Sequence, residues 1–501
     1  MKRFLSIFCV LFILTSCATM QEREFRAKIA ENVKNKNYSE ALKLAKDEEF
    51  YKGEKSKLLK NLEIGTIYYL DGKYYQALKS FEKAKKISDD LYTISVSKKI
   101  SSIWDENMDN YYGEKYERSL IRFYLSLINY NLYKQGYYEE YLDDKNVKVE
   151  KKELTDSEKN FHLNYARSSI IEWDSLLKSY QGETGGEPVY KNDMIAKVWG
   201  AFIHSQFENN TDRQIAIQLY KDGDELLLRN YNMYPIYNNK AKNFSNDFKK
   251  LPNITYQELV SQYIDETQYA KDLKAYLNRN INNLSRFKKD NLVIVLKDSL
   301  VSPKSVNTIK VPIPIALFGN SYSQMEAFIR LIMLTENGMP YAEIELPKIE
   351  AVKDIKRYKF VVFNEANEEV AKSDLAMIEP ISDIAKKTLD DKIGMVRTKI
   401  IARVGAKYAA AAISAYALYS QDNDFAKIGA LAMFAGSVKA INESSRADTR
   451  YWTTLFSDLQ IGGAILNVGK YKLIIYDNDR SIVEKQFEIK RNETTFIDLN
   501  I

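Results

Sequence analysis

Between Leu58 and Leu91 the chain reads LLKNLEIGTIYYLDGKYYQALKSFEKAKKISDDL, and the spacing of small and aromatic residues there leaves few folds open. Gly65, Ala77 and Ala84 stand where two helices must approach closely, while Tyr68 and Phe81 stand where a ring can fill the groove between them. Gly72 followed by Tyr74 supplies a tight turn, so the window predicts two antiparallel helices joined by a few residues. Such a pair cannot bury its apolar face alone and needs neighbours of the same kind. The preceding segment, Glu22 to Phe50, carries Ala41 and Ala45 at the positions of Ala77 and Phe81, 36 residues earlier.

A third unit is expected at Leu120 to Leu142 with its turn at Gly136-Tyr137-Tyr138. A fourth runs from Ile195 to Leu228, with Gly200, Ala216, Tyr220 and Gly223 in the close-contact positions. Between them lie a charged insertion, Asp143 to Asp156, a helix containing Phe161, Tyr165, Ile170, Trp173 and Leu177, and a glycine-containing loop from Gln181 to Pro188. The spacing resembles the tetratricopeptide repeat, whose period is ~34 residues, although Asn61 stands at the usual Trp position and the closing Pro is absent. The resemblance implies an α-solenoid over residues 17–250 with a face that takes an extended peptide or a helix of another protein. Tyr68, Tyr74 and Tyr75 are the candidate partner-binding residues. The competing reading is a helical spacer whose groove stays empty.

The N-terminus reads as an address. Lys2 and Arg3 precede an apolar run, Phe4 to Leu14, that is too short for a permanent span. Leu14-Thr15-Ser16-Cys17 then resembles the bacterial lipoprotein signal, against an ordinary secretory signal with a chance cysteine. The resemblance implies removal of residues 1–16 and transfer of acyl chains such as palmitate to Cys17. At ~0.8 kcal/mol per buried methylene, two or three chains hold a protein firmly. Ala18, rather than Asp, after the cysteine points to the outer membrane, facing the periplasm.

Composition narrows the chemistry. The 501 residues carry a net charge of +5, falling to +3 without Lys2 and Arg3, which is too little for a binder that neutralises nucleic-acid phosphates. The two cysteines, Cys9 and Cys17, leave no disulfide for the body of the chain, and the two histidines, His162 and His204, have no companions at metal-ligand spacing. Gly182, Gly185 and Gly186 are not followed by Lys-Ser/Thr, and no Gly-x-Ser-x-Gly or His-Glu-x-x-His run is present. The expectation is a chain without catalytic residues, cofactor or metal.

The second half has a different texture. After a connecting helix at 251–290, short apolar runs (NLVIVLKD, TIKVPIPIAL, YAEIELP, KRYKFVVFN) predict strands, with a helical stretch at Tyr322 to Leu334. Pro312 and Pro314 place their strand at an edge. The closing segment GKYKLIIYDNDRSIVEKQFEIKRNETTFIDLNI predicts a meander turning at Asp477 to Arg480. In it Val483, Phe487 and Ile489 alternate with Glu484, Gln486 and Glu488. The expected product over 291–501 is an antiparallel β-sandwich interrupted by an Ala-rich helical hairpin at 381–443. Lys407, Lys427 and Lys439 punctuate that hairpin, favouring a buried or oligomerising pair over a membrane hairpin.

Asp383-Ile384-Ala385, the run Ala447-Asp448-Thr449-Arg450 with Trp452, and GKYKLIIYD together resemble a family of bacterial lipoproteins. Its members join tetratricopeptide repeats to a C-terminal domain with an Ala-Asp-Thr-Arg-x-Trp motif. The resemblance covers most of residues 20–501 and is strongest from Ile378 to Asp477, departing at Asn320 to Asn337. It implies a multidomain α + β protein of the cell envelope; the repeats together with the Cys17 anchor lead to the expectation of a protein-interaction scaffold, in envelope or peptidoglycan assembly. Asp448, Thr449, Arg450 and Trp452 admit two roles, a polar ligand site or a network tying the hairpin to the strand after it. Two other functions stay open: a glycan-binding or wall-active C-terminal domain, and an oligomeric subunit of an envelope complex.

Overall fold

The computed structural model describes residues 23–48, 50–51, 53–97, 110–143, 147–182, 190, 192–241, 256–312, 341–349, 355–421, 423–444 and 447–501. The architecture is mixed, with helices leading and several small sheets following. Helices α1 (23–34), α2 (Tyr38–Lys46), α3 (Lys57–Leu70), α4 (Tyr74–Ser97), α5 (Lys115–Gln135), α6 (Asp156–Gly182), α7 (Met194–Ser205) and α8 (Asn210–Arg229) come first. From α2 to α8 each helix packs on the next, and α8 packs on α10 (Gln268–Ser285), which follows α9 (Tyr256–Tyr263).

The small residues singled out in the sequence sit in these contacts. A Cβ on Gly65 would lie 2.9 Å from the Phe81 ring, and one on Gly200 would lie 3.0 Å from Ile170. Ala41, Ala45, Ala77, Ala84 and Ala216 are fully buried. Gly72 turns the chain between α3 and α4 at φ +73°, a left-handed conformation that favours glycine.

The expected third unit takes another course. Gly136, at φ +76°, ends α5, and no helix follows at 137–142. Instead β1 (Tyr137–Tyr138) pairs with β4 (Lys152–Glu153), and β2 (Tyr141–Leu142) pairs with β3 (Lys148–Val149). The segment is held out of helix by what it touches. Glu139 accepts the Tyr75 and Gln76 N–H groups at 2.8 and 3.1 Å, supplying an anion to the N-terminus of α4, and Tyr138 stacks on Tyr75 at 4.1 Å. Helix α6 becomes the partner of α5.

The strands form two four-stranded sheets. One has the order β10 (Ala376–Glu379), β11 (Phe456–Ala464), β5 (Leu292–Leu300), β14 (Thr495–Asn500). The other has the order β13 (Arg480–Ile489), β12 (Gly469–Asp477), β8 (Tyr358–Asn364), β9 (Glu369–Asp374). The expectation of purely antiparallel strands is corrected at one place: β14 runs parallel to β5, which is sandwiched between β11 and β14 in its sheet. The turn at Asp477–Arg480 forms as expected, with Asn478 at φ +53°.

Strand β5 has apolar side chains on both faces. Leu292, Ile294 and Leu296 meet Phe360, Val362, Leu473 and Ile475 of the second sheet, whereas Val293 and Val295 join the core of the helices. Helices and first sheet therefore share one continuous core. The Ala-rich segment forms helices α11 (Ile381–Tyr419) and α12 (Asp424–Ser444), which pack on each other. Val404, Tyr408, Ala412 and Phe434 cluster with Ile344 and Leu346 of β7 (Tyr341–Ile349), whose partner is β6 (Lys304–Pro312). Among the described residues no helix is long and apolar enough to cross a membrane. Pro314 and the stretch Tyr322 to Leu334 lie outside the described residues.

Phe81 belongs to that shared core, stacked on Tyr124 at 4.7 Å and 5.8 Å from the Trp452 ring. Phe81→Ala should cost about 3–5 kcal/mol in urea denaturation. Far-UV circular dichroism and tryptophan fluorescence should lose signal together in wild type and variant. Separate transitions for helices and strands would contradict a shared core.

Candidate functional site: a strap between helices and sheet

Residues 447–455 run without helix or strand from α12 toward β11, and the helices receive them through buried carboxylates. The Trp452 N–H donates to Glu117 Oε1 at 2.9 Å, the Thr453 N–H to Glu63 Oε1 at 2.7 Å and the Thr454 N–H to Glu63 Oε2 at 3.0 Å. Glu63 stands on α3 and Glu117 on α5, and both are buried. The Trp452 ring is fully buried 5.4 Å from Tyr124, and its Nε1–H donates to Thr66 at 3.0 Å and Thr454 at 3.2 Å. Three consecutive backbone donors that could not reach a ladder are thereby satisfied.

Asp448 and Arg450 pair with one another. The Arg450 guanidinium donates to both carboxylate oxygens of Asp448, at 3.0 and 2.8 Å, and lies 5.6 Å from the Tyr111 ring. Thr449 accepts from Arg23 and Arg26 of α1 at 3.4 Å each. Each of these groups meets the strap itself or the elements around it.

Charges beside the strap are arranged in layers. Glu114 begins α5 and accepts from Lys304 of β6 at 3.2 Å and Lys392 of α11 at 2.6 Å. Burial works against the Glu114 anion, but Lys392 and Lys304 outweigh it and hold its carboxyl well below the usual range. Burial likewise opposes the Lys304 cation, and Glu114, Glu117 and Asp448 overcome it, raising Lys304. Glu63 forms no ion pair among the described residues. Burial pushes its carboxyl up to about 7, against the opposing pull of the Thr453 and Thr454 donors.

Two further buried networks join the same halves. Glu379 of β10 accepts from the Tyr231 hydroxyl at 2.6 Å and from the Ile195 N–H at 3.1 Å. Burial, and after it the adjacent Asp193, push the Glu379 carboxyl well above the usual carboxylate range. Lys297 of β5 pairs with Asp498 of β14, which also accepts from Tyr69 and, at 3.3 Å, from Asn131.

The tyrosines named from the repeats are not brought to one surface. Tyr68 is buried, its hydroxyl accepting from Lys46 at 2.8 Å. Tyr74 leans on Tyr69 at 5.9 Å. Tyr75 alone joins a partly exposed rack with Tyr138 and Tyr141, and the Lys79 ammonium lies 4.6 Å and 4.3 Å from the Tyr75 and Tyr141 rings. The histidines are packed: His162 meets Asn129 at 2.7 Å and Tyr138 at 2.8 Å, and His204 meets Asp212 at 2.5 Å. Burial holds His162 down to about 4. Among the described residues no group of three or more His, Cys, Asp or Glu side chains could hold a metal ion. Cys17 lies outside the described residues.

Comparison with protein families, with curated proteins and with solved structures finds no match. The site therefore rests on its own geometry.

Sequence reasoning missed Glu63, Glu117, Asp193 and Glu379. The signal available was weak: Glu63 shares a helical face with Leu59, Leu62 and Thr66, an apolar stripe where a carboxylate is out of place. Folded Glu63 keeps its proton up to about 7, whereas an unfolded glutamate releases it near 4.5. Between those values the folded state binds more protons, so Glu63's contribution is complete below 4.5 and is lost as pH rises through 7. The loss amounts to roughly 3 kcal/mol. Glu63→Gln should remove this component from the pH profile of urea stability. It should also cost about 1–3 kcal/mol at pH 5, because its amide NH2 faces one strap N–H. Identical profiles for both proteins would refute the assignment.

Proposed function

We propose that the chain is a lipid-anchored scaffold of the cell envelope, held by acylated Cys17 on the periplasmic side of the outer membrane and recruiting a protein partner through its helical repeats. In this reading α2 to α8 form a tetratricopeptide-like solenoid and the two four-stranded sheets form a sandwich. Envelope or peptidoglycan assembly is the process it serves. The observation that carries the reading is the run Leu14-Thr15-Ser16-Cys17, placed ahead of helix pairs whose Gly65, Ala77, Phe81 and Ala84 lie in the helix contacts.

The face of the helices turned toward the sheet is filled by Val293, Val295, Trp452 and the strap. A partner is then met on the remaining surface, where Tyr75, Tyr138, Tyr141 and Lys79 offer an aromatic and cationic rack. Anchoring raises the local concentration of that rack at the membrane, so moderate affinity suffices.

Deleting the repeats would strip the sheet of its covering, so point variants make the cleaner test. In-cell crosslinking of the acylated wild type should capture a partner that Tyr75→Ala/Tyr141→Ala loses while staying in the membrane fraction. Cys17→Ala should lose both acyl labelling and membrane retention. Unchanged partners in the tyrosine variant, or retention of Cys17→Ala, would overturn the reading.

One observation favours a second role as an oligomeric subunit. The hairpin of α11 and α12 exposes Ile413, Phe425, Ile428 and Met433, with Phe425 85% and Ile428 67% accessible. Light scattering at high concentration should then show a dimer or larger species that Phe425→Ser/Ile428→Ser dissociates. A monomer at every concentration would exclude it.

A further inference from the structure

A cleft of about 660 Å³ opens where five separate segments converge: the end of α5, the first turns of α6, the α7–α8 loop, the α10–β5 loop and the β13–β14 turn. Its size suits a small ligand. Lys134, Lys159, Arg167 and Lys289 line it against only two acids, Glu208 and Glu493. Lys159 and Arg167 are already engaged, with Asp156 at 3.1 Å and Asp212 at 2.9 Å. Lys134 and Lys289 form no ion pair among the described residues; Lys289 donates once, to the Ser205 carbonyl at 3.2 Å. Both ammonium groups are partly withdrawn from water, and burial lowers their pKa values.

A second feature lies in the wall of the same cleft. Thr494 is 5% accessible, and its hydroxyl, shut off from solvent, has no hydrogen-bond partner among the described residues. A polar atom left unpaired in this way is a cost that the cleft wall carries. The wall also carries the amides of Asn160 and Asn492, each able to donate and accept at once.

A third observation lies at the rim. A smaller cavity of about 320 Å³ adjoins the cleft, sharing Phe207, Glu208 and Lys289 with it, and contains Phe287. Phe287 follows α10 at φ +60°, a left-handed conformation that a bulky residue rarely adopts, and its ring is 81% accessible. The Arg213 guanidinium lies over that ring at 3.5 Å, and its Nε and Nη1 are buried without partners. A strained backbone here holds an aromatic face out beside a cationic groove.

We propose that this groove binds an acidic oligosaccharide, with Lys134 and Lys289 meeting a carboxylate, the amides meeting hydroxyls, and Phe287 stacking on a pyranose ring. Cation plus amide plus aromatic platform matches the three surfaces of such a sugar: charge, hydroxyl edge and apolar ring face. The inference rests on neither the anchor nor the repeats' partner, and it places the glycan contact between helices and sheet rather than within the C-terminal strands.

Titration calorimetry on the full mature chain tests it with a glucuronate-containing tetrasaccharide, its carboxyl-reduced form, chitotetraose and tetraglutamate. The acidic tetrasaccharide should bind saturably, and both neutral sugars should bind at least about tenfold more weakly. Lys134→Gln and Lys289→Gln should each weaken it by about tenfold. Phe287→Gly should also weaken binding while leaving thermal stability equal or higher, because glycine relaxes the left-handed backbone. That last pair of results separates lost stacking from lost folding. The proposal falls if the neutral sugars bind as well as the acidic one, if tetraglutamate binds as tightly, if no saturable binding occurs, or if the variants leave affinity unchanged.

Discussion

Three adjacent peptide N–H groups, those of Trp452, Thr453 and Thr454, are buried in the middle of this protein, and two glutamates from distant helices accept them. The rest of the arrangement depends on this exchange. A strap with unmet donors could not lie against helices without a penalty of about 1–3 kcal/mol per group. Once Glu63 and Glu117 accept them, Trp452 can pack beside the stacked Phe81 and Tyr124 rings, and β11 can begin immediately afterwards. The sheet is thus fastened to the helices by polar contacts at the point where apolar packing alone would leave the register undefined. Glu379 with Asp193 and Lys297 with Asp498 repeat the device at two other points of the seam.

This seam changes what a helical repeat means for function. In an isolated array of helix pairs the inner face is available to a guest. Here the face of the helices toward the sheet is filled by the chain's own strands and strap, which leaves the outer surface and the junctions between the halves exposed. The cationic cleft is such a junction: no single segment supplies it, and it exists only when α5, α6, the α7–α8 loop and the β13–β14 turn are all in place.

The sequence foretold local structure better than partnership. The close helix contacts at Gly65 and Gly200 were legible, because only a residue without a side chain permits them and its spacing from the facing rings is fixed by helix geometry. The β12–β13 hairpin was legible from strict alternation around a two-residue turn. The helix expected after Gly136 was not, because Glu139 and Tyr138 are recruited by the start of α4, a tertiary contact that no local pattern carries. The parallel placement of β14 was equally hidden, since an alternating strand reads the same in either direction. The Asp448 to Trp452 motif was visible as a cluster, but the carboxylates that receive its strap, Glu63 and Glu117, lie more than three hundred residues away in the chain. Phe287 went unnoticed because an exposed aromatic is informative only once its backbone conformation is known.

Lys297 follows a run of five apolar residues in β5, and its carboxylate arrives 201 residues later in the chain, on β14. Until that strand is synthesised, a nascent sheet would have to bury a solitary ammonium, so the central β5 ladder cannot settle early. A chain that stops before β14 lacks both the strand that flanks β5 and the counter-ion of Lys297, so its first sheet cannot close in the same way.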